Sequence, residues 1–439
     1  MSTPPATVST SRRIFLGAFG QPGHAFPMLA LGRRLVERGH EVTYETWERW
    51  REHVVAAGME FVPAPEYPVF PTREQPLKPY EAVVRATAPT RAAIAARHPD
   101  VVVHDILTLA PALAAELEGI PTATLVPHLY PVTAPGFAPY SIGARLPATR
   151  AGHAFWSLFE RPLEKGLRQG RDELNETRRR LGLQPTARLH GGLSSSLCLV
   201  ATFPQLEYPR DWPPAVHVVG PMLWEPPGAA AVTPPSGDEP LVVVAPSTSH
   251  DPKQRLVRAA LEGLRGLDVR VLASLDRRPA TRPIRAGRRA RLVNWMSYAD
   301  AMSAADLVIC HAGHGTIARA LERGVPILAV PHSGDMAENA ARLDWAGLGV
   351  RLPWRLLAAP ALRLAAERAL AHHPDLSART HELADWAITN DGPTRAAELI
   401  EELLAISQRR PKIARASNAS SPTPTSCRSP SNSRTALIL

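Results

Sequence analysis

Two rhythms of hydrophobic and polar positions alternate along most of the chain. Short apolar runs are followed by longer segments in which apolar residues return every third or fourth position. In the first half, "RRIFLGAF" reads as a strand, "AFPMLALGRRLVERGH" as an amphipathic helix ending at Gly39, and "EVTYET" as the next strand. "DVVVHD", "LAPALAAELEGI" and "TATLVP" repeat the strand–helix–strand order. The second half starts again. "PLVVVAPS", "VRVLAS", "ADLVICH" and "PILAVP" read as strands, and "DPKQRLVRAALEGLRG", "GTIARALERG" and "MAENAARLDWAG" as helices. Strands alternating with helices predict parallel βαβ units, so each half is expected to be a doubly wound α/β sheet.

The breaks in this pattern predict the domain organisation. Residues 220–240, "GPMLWEPPGAAAVTPPSGDEP", are rich in Pro and Gly and lack periodicity, as a linker would. The expected units are a disordered start at 1–11, a first domain at 12–219, the linker, a second domain at 241–392 and a final amphipathic helix at 393–407. Residues 408–439 form a Ser/Pro/Arg-rich tail expected to be disordered. Residues 137–190 read as helical but poorly patterned. With 439 residues and 45% hydrophobic content, two cores are readily filled.

Charge changes this picture little. The net charge is +9, but Arg409, Arg410, Lys412, Arg415, Arg428 and Arg434 lie in a tail without acids, which leaves +3 for the rest. That argues against a nucleic-acid partner, which needs a basic face on a folded module. Lysine accounts for four of the 50 basic residues, which reflects an Arg-rich composition more than an RNA-binding surface. Cys198, Cys310 and Cys427 lack metal-ligand spacing, and the first two sit in apolar runs as small buried hydrophobes. No apolar run reaches the roughly 18 residues of a membrane span. "IFLGAFG" is too short for a secretory leader, so a cytoplasmic protein is expected.

Chemistry concentrates at "HAGHGTIARALERGVPILAVPHSGDMAENAARL", residues 311–343. In open parallel sheets, ligands bind beyond the carboxyl ends of the strands. The His311–Thr316 turn stands there, between "LVIC" and the next helix. Gly313 and Gly315 are expected to let the backbone turn sharply and approach a ligand closely. The unpaired N–H groups and dipole of the helix start favour a phosphate, with Thr316 and His311 as added donors. A capped strand–helix connection is the plainer reading of such a turn. Asp335, after the next strand, joins the same rim, and a carboxylate suits sugar hydroxyls better than phosphate. Ser247, Thr248 and Ser249 occupy the first strand–helix turn of this half, where hydroxyls reach a diphosphate or Ser249 caps the helix. In the first half, His24 follows strand one at the carboxyl end of its sheet, with an ordinary pKa near 6.5 suited to proton abstraction. Asp105 ends another strand of that sheet. Taken alone, His24 reads equally as a capping or core histidine, and Asp105 as an N-cap. His104 should face away from Asp105, and His40, at the other end of the sheet, is structural.

The order H-x-G-x-G-T, G-V-P-x-x-x-x-P and D-x-x-x-N-A, with Trp295 upstream and "GQPGHAFP" near the start, resembles the nucleotide-sugar-dependent glycosyltransferases of GT-B fold. The likeness is strongest to the bacterial macrolide and antibiotic enzymes related to plant UDP-glycosyltransferases. The resemblance implies two Rossmann-like domains facing across a cleft. It implies that Trp295 lies beside the base, that His311 and Gly315–Thr316 hold the diphosphate, and that Asp335 binds the donor sugar. It further implies that His24 is the catalytic base and that Asp105 hydrogen-bonds it. An inverting transfer without metal or other cofactor follows, from a nucleoside-diphosphate sugar to a hydrophobic small molecule. The "APEYPVFPTREQPLKPYE" and "PHLYPVTAPGFAPYSIG" loops are the expected acceptor walls; a homodimer stays open.

Three positions depart from the family pattern. Arg319 stands where UDP-sugar enzymes carry a ribose-binding Glu, Ser297–Tyr298 replace Pro-Gln, and Met336 replaces a sugar-binding Gln and is expected to offer an apolar surface to a sugar missing a hydroxyl. An Arg cannot accept a hydrogen bond, so a dTDP-linked deoxysugar is the favoured donor and a UDP-hexose the alternative. In that alternative Arg319 pairs with Glu322 or Glu338 on the surface. The rival activities are a nucleotide-sugar epimerase or hydrolase of the same fold, and a catalytically silent auxiliary partner of another glycosyltransferase.

Overall fold

The computed structural model describes residues 11–65, 81–227, 232–247, 251–280, 282–332 and 334–409. The first domain runs β1 (Arg13–Gly17), α1 (Pro22–Glu37), β2 (Glu41–Thr46), α2 (Arg51–Ala56), β3 (Glu60–Pro63), α3 (Glu81–Arg97), β4 (Val101–Asp105), α4 (Leu109–Glu118), β5 (Thr122–Val126), α5 (Arg150–Ser157), α6 (Glu160–Arg180), β6 (Cys198–Val200) and β7 (Val216–Val218). The second runs β8 (Leu241–Ala245), α7 (Arg255–Gly263), β9 (Arg270–Ser274), β10 (Ala290–Val293), α8 (Tyr298–Ser303), β11 (Leu307–Cys310), α9 (His314–Glu322), β12 (Ile327–Ala329), α10 (Asp335–Trp345), β13 (Gly349–Arg351), α11 (Ala359–Ala371), α12 (His373–Thr389) and α13 (Gly392–Arg409).

Each domain is one parallel sheet, ordered β3-β2-β1-β4-β5-β6-β7 and β10-β9-β8-β11-β12-β13. β4 and β8 are buried along their whole length, because helices cover both faces of a parallel sheet. That is why these strands are apolar runs rather than alternating patterns. In both sheets the strand order reverses at the centre, between β1 and β4 and between β8 and β11. Crevices open at such switch points, beyond the carboxyl ends. Gly17 stands level with His104 across the first pair, and Ala245 with Cys310 across the second. His24 and Asp105 therefore flank one crevice, and Ser247 and His311 the other.

The last helix does not stay with the second domain. The apolar face of α13, with Ala396, Ile400 and Leu404, joins the same core cluster as Leu29 and Leu35 of α1. Glu401 accepts from Arg38 Nε at 2.8 Å and lies 2.9 Å from His40 Nε2, so His40 ties the far end of the first sheet to α13. The outgoing and returning chain cross at Gly220, with φ +103°, and Gly392, where a Cβ would stand 2.5 Å from the Pro221 carbonyl.

Candidate active site

His24 enters the cleft because Pro22 starts α1 immediately after the β1 turn, which places residue 24 in the first helical turn. Its Nδ1 lies 2.7 Å from Asp105 Oδ1, and the side chains are 17% and 1% exposed. Asp105 is not an N-cap. That position belongs to Thr108, whose hydroxyl donates to Asp105 Oδ2 at 3.2 Å. With Nδ1 committed to a carboxylate, Nε2 is the atom left for substrate. Burial disfavours the imidazolium, but Asp105, through its charge and its hydrogen bond, and Asp335, through its charge, outweigh it and raise the His24 pKa. The rims of the two domains meet near this point, where Leu129 of the first and Met336 of the second share one buried cluster. His104 turns away, with Nε2 2.8 Å from Thr124 Oγ1, and burial lowers its pKa.

On the opposite rim, the left-handed residue of the "HAGHGT" turn is Ala312, with φ +66°. Gly313, expected to provide the bend, has φ −64° and serves as the N-cap of α9. A left-handed alanine costs about 1–2 kcal/mol. Asn339 of α10 holds it there by donating Nδ2 to the Ala312 carbonyl at 3.0 Å. Gly313 offers no capping side chain, so the first N–H groups of α9 stay available to a ligand. Gly315 is exposed, with nothing near where a Cβ would stand, and Thr316 is half-buried beside it. Asp335 opens α10 after Gly334, whose φ is +65°. Ser247, Asp251, His311, His332 and Trp354 share a small recess at this rim. Trp295 is half-buried after β10 and carries the Arg277 guanidinium 4.2 Å above its ring. Thr248 and Ser249 lie outside the described residues. The helix beyond them starts at Arg255, later than its pattern suggested, with Asp251 Oδ2 accepting from Leu256 N.

Residues 258–403 match the family described as erythromycin biosynthesis protein CIII-like, C-terminal domain. The 4'-demethylrebeccamycin synthase of Lentzea aerocolonigenes is 27% identical over 430 residues, covering 89% of this chain and 99% of that protein. The O-mycaminosyltylonolide 6-deoxyallosyltransferase of Streptomyces fradiae is 29% identical over 430 residues, covering 89% and 97%. Among solved structures, the glycotransferase of kitacinnamycin aligns with a TM-score of 0.71 at 22% identity, covering 90% of this chain and 99% of that one. The glycosyltransferase VinC in complex with DTDP aligns with 0.65 at 19%, covering 91% and 100%. The chain has the GT-B fold and is a glycosyltransferase, similar along most of its length to enzymes of antibiotic and natural-product biosynthesis. No helix among the described residues is long and apolar enough to cross a membrane.

The glycosyltransferase holds its domains together through residues that sequence reasoning missed. Buried Arg342 of α10 pairs with Glu338 one turn earlier at 2.9 Å and with Glu207 of the first domain, and stacks on Tyr208. Glu207 also accepts from Tyr130 N at 2.7 Å. His314 Nε2 meets Thr202 Oγ1 at 2.9 Å, and Arg351 donates to the Gly143 carbonyl. No periodicity announces the pairs Arg342–Glu207, His314–Thr202 and Arg351–Gly143, whose members lie more than a hundred residues apart.

Glu338 is thus bound to Arg342, and Arg319 takes neither of its expected surface partners. Arg319 is largely buried. It donates to the Trp224 carbonyl at 2.9 Å and faces Glu225 at 3.5 Å. Met336 is buried in the apolar cluster that also holds Ile317 and Leu129, so it turns inward instead of offering an apolar surface to a sugar. A cavity of about 250 Å³ lies in the first domain, lined by Pro131, Thr133, Pro139 and Tyr140 from the expected acceptor loop and by Phe159 and Leu163 of the α6 region. The other expected wall falls mostly on residues 66–80, outside the described residues. Among the described residues, no cluster of His, Cys, Asp and Glu could hold a metal.

Proposed function

We propose that this glycosyltransferase is an inverting enzyme that moves a deoxysugar from dTDP to a hydroxyl of an apolar small molecule. In this reading residues 12–219 take the acceptor and 241–392 the nucleotide sugar. The observation that carries it is the His24–Asp105 pair at one switch point, within electrostatic reach of Asp335 at the rim of the other. His24 Nε2 removes the acceptor proton as the oxygen attacks the anomeric carbon, and Asp105 stabilises the imidazolium. The C–O bond to the diphosphate breaks in the same step. His311, Thr316 and the start of α9 meet the charge that develops on the leaving group. Trp295 takes the base, Ser247 and Thr248 flank the diphosphate, and Asp335 accepts from the sugar. No metal ligand set is required by this arrangement.

Support for a deoxyribose comes from the surroundings of Arg319. The nearest carboxylate, Glu225, already accepts from Tyr298 N at 2.9 Å, Ala299 N at 3.2 Å and Ser297 Oγ at 3.3 Å. A ribose 2′-hydroxyl would compete there with three donors already on Glu225, and a deoxyribose loses nothing. The apolar lining of the 250 Å³ cavity supports a hydrophobic acceptor.

Two measurements test the proposal. His24→Ala should slow transfer on the order of 10²–10⁴-fold, while calorimetric affinity for dTDP stays nearly unchanged. The wild-type protein should bind dTDP at least as tightly as UDP, since one lost hydrogen bond is worth about 0.5–1.5 kcal/mol. Parallel loss of affinity in the variant removes His24 as the base, and clearly tighter UDP binding removes the deoxyribose argument.

A further inference from the structure

His128 stands directly after β5, beside the end of β4, and has no role in the mechanism above. Its ring centroid is 6.4 Å from that of His24, with the planes at 85°. Its Nδ1 lies 2.8 Å from the Leu129 carbonyl oxygen, and the Tyr140 hydroxyl is 3.4 Å from the same nitrogen. A carbonyl oxygen only accepts, so Nδ1 carries the hydrogen and Nε2 the lone pair. Nε2 has no hydrogen-bond partner among the described residues. The facing charges are Asp335 from the second domain and His24 and Asp105 from the first. Burial, aided by His24, outweighs the two carboxylates and lowers the His128 pKa, so the ring is an acceptor at neutral pH.

We propose that His128 is a positioning residue for the donor sugar, its Nε2 accepting a hydrogen bond from one sugar hydroxyl opposite Asp335. The inference rests on the reading of His24 as base. The reacting acceptor hydroxyl has a single hydrogen, which it gives to His24. It cannot also donate to His128, whose Nε2 needs a donor. Leu129, next to His128, and Met336, next to Asp335, lie in one buried apolar cluster with Tyr140 packed against it, which brings the start of α10 to the side of the crevice where His128 stands. A sugar held between them can give one hydroxyl hydrogen to Asp335 and another to His128. The hydroxyl that meets His128 is then one the enzyme requires, while positions elsewhere on the ring tolerate deoxygenation.

The test compares wild type, His128→Phe, which keeps the ring and removes the acceptor, and His128→Gln, whose amide oxygen can replace Nε2. The probes are dTDP-glucose and its 2-, 3-, 4- and 6-deoxy forms, read both as transfer and as calorimetric affinity relative to dTDP alone. For one deoxy form, the preference of the wild type for dTDP-glucose should fall about 3- to 10-fold in His128→Phe and return in large part in His128→Gln. Affinity for dTDP itself should stay within about twofold. An unchanged preference at every position overturns the proposal, as does a loss of kcat equal for all donors or a loss of dTDP affinity. The calorimetric arm needs no acceptor. Wild-type protein that binds these sugars without transferring them would sink the base assignment and leave the His128 contact to be judged on its own.

Discussion

Replacing Asp105 by Asn removes a charge and little else. The Asn carbonyl can accept from His24 Nδ1 as Oδ1 does at 2.7 Å. The amide N–H₂ then meets Thr108 Oγ1, 3.2 Å from the present Oδ2, and that hydroxyl can accept as well as donate. The tautomer of His24 should therefore survive. What is lost is the gain of a charge-assisted over a neutral hydrogen bond to the imidazolium, about 1–1.5 kcal/mol. The plateau of kcat/KM should drop about 5- to 10-fold. The pH profile should move as well. A base works when unprotonated, so the acid limb follows the free-enzyme pKa of His24. Asp105 raises that pKa, and burial lowers it. Without the carboxylate the limb should shift to lower pH, so the variant loses least at the acid end. The assay is kcat/KM for one donor–acceptor pair from pH 5 to 9, for both proteins. A limb that stays in place would mean that Asp105 does not set the basicity of His24. A plateau lower by about 10³ or more would mean that the amide presents N–H₂ to His24 and traps the wrong tautomer. Either result refutes the reasoning.

Gly313→Ala should weaken dTDP binding about 10-fold or more, because a Cβ there collides with the His311 imidazole; unchanged calorimetric affinity would take His311 out of the diphosphate site. Buried Glu45 accepts from Thr90 Oγ1 at 2.7 Å, and burial, opposed by Thr90 and Arg97, pushes its pKa up to about 7. The folded carboxyl holds a proton that the unfolded chain releases, so its contribution to stability falls as pH rises from about 4.5 through about 7. Glu45→Gln should thus gain about 2–3 kcal/mol on wild type between pH 5 and pH 8 in urea unfolding of the first domain, and a difference flat across that range would count against the burial argument.

Central strands and their carboxyl ends were legible in the sequence, because a strand buried on both faces is a continuous apolar run bounded by turns. "DVVVHD" and "LVVVA" announced β4 and β8, and with them the crevices that hold Asp105 and Ser247. Short edge strands such as β3, β7 and β13 carry too few residues to show a period. The bend at Ala312 was assigned to its glycine neighbours because alanine does not advertise a left-handed conformation that Asn339 imposes from another helix. Met336 sat at a sugar-binding position of the motif, but the first turn of α10 faces it inward. His128 was within reach of sequence reasoning, since it follows "TATLVP" at the carboxyl end of the same sheet as Asp105. Its partners were not, because Tyr140 and Asp335 arrive from other parts of the chain.

Helix α13 inverts the order in which the two domains are finished. During synthesis β1 to β7 leave the ribosome first, yet the seam over α1 stays open until Ala396, Ile400 and Leu404 emerge to close it. Arg38 and His40 wait for the Glu401 carboxylate over the same interval. The second domain, contiguous from β8 to α12, needs no such late arrival to complete its sheet. It can close while its predecessor is still missing a side. The domain that carries His24 and Asp105 is thus first to be translated and last to be sealed, and a chain released before Gly392 would expose apolar α1 surface beside an otherwise complete nucleotide-sugar domain.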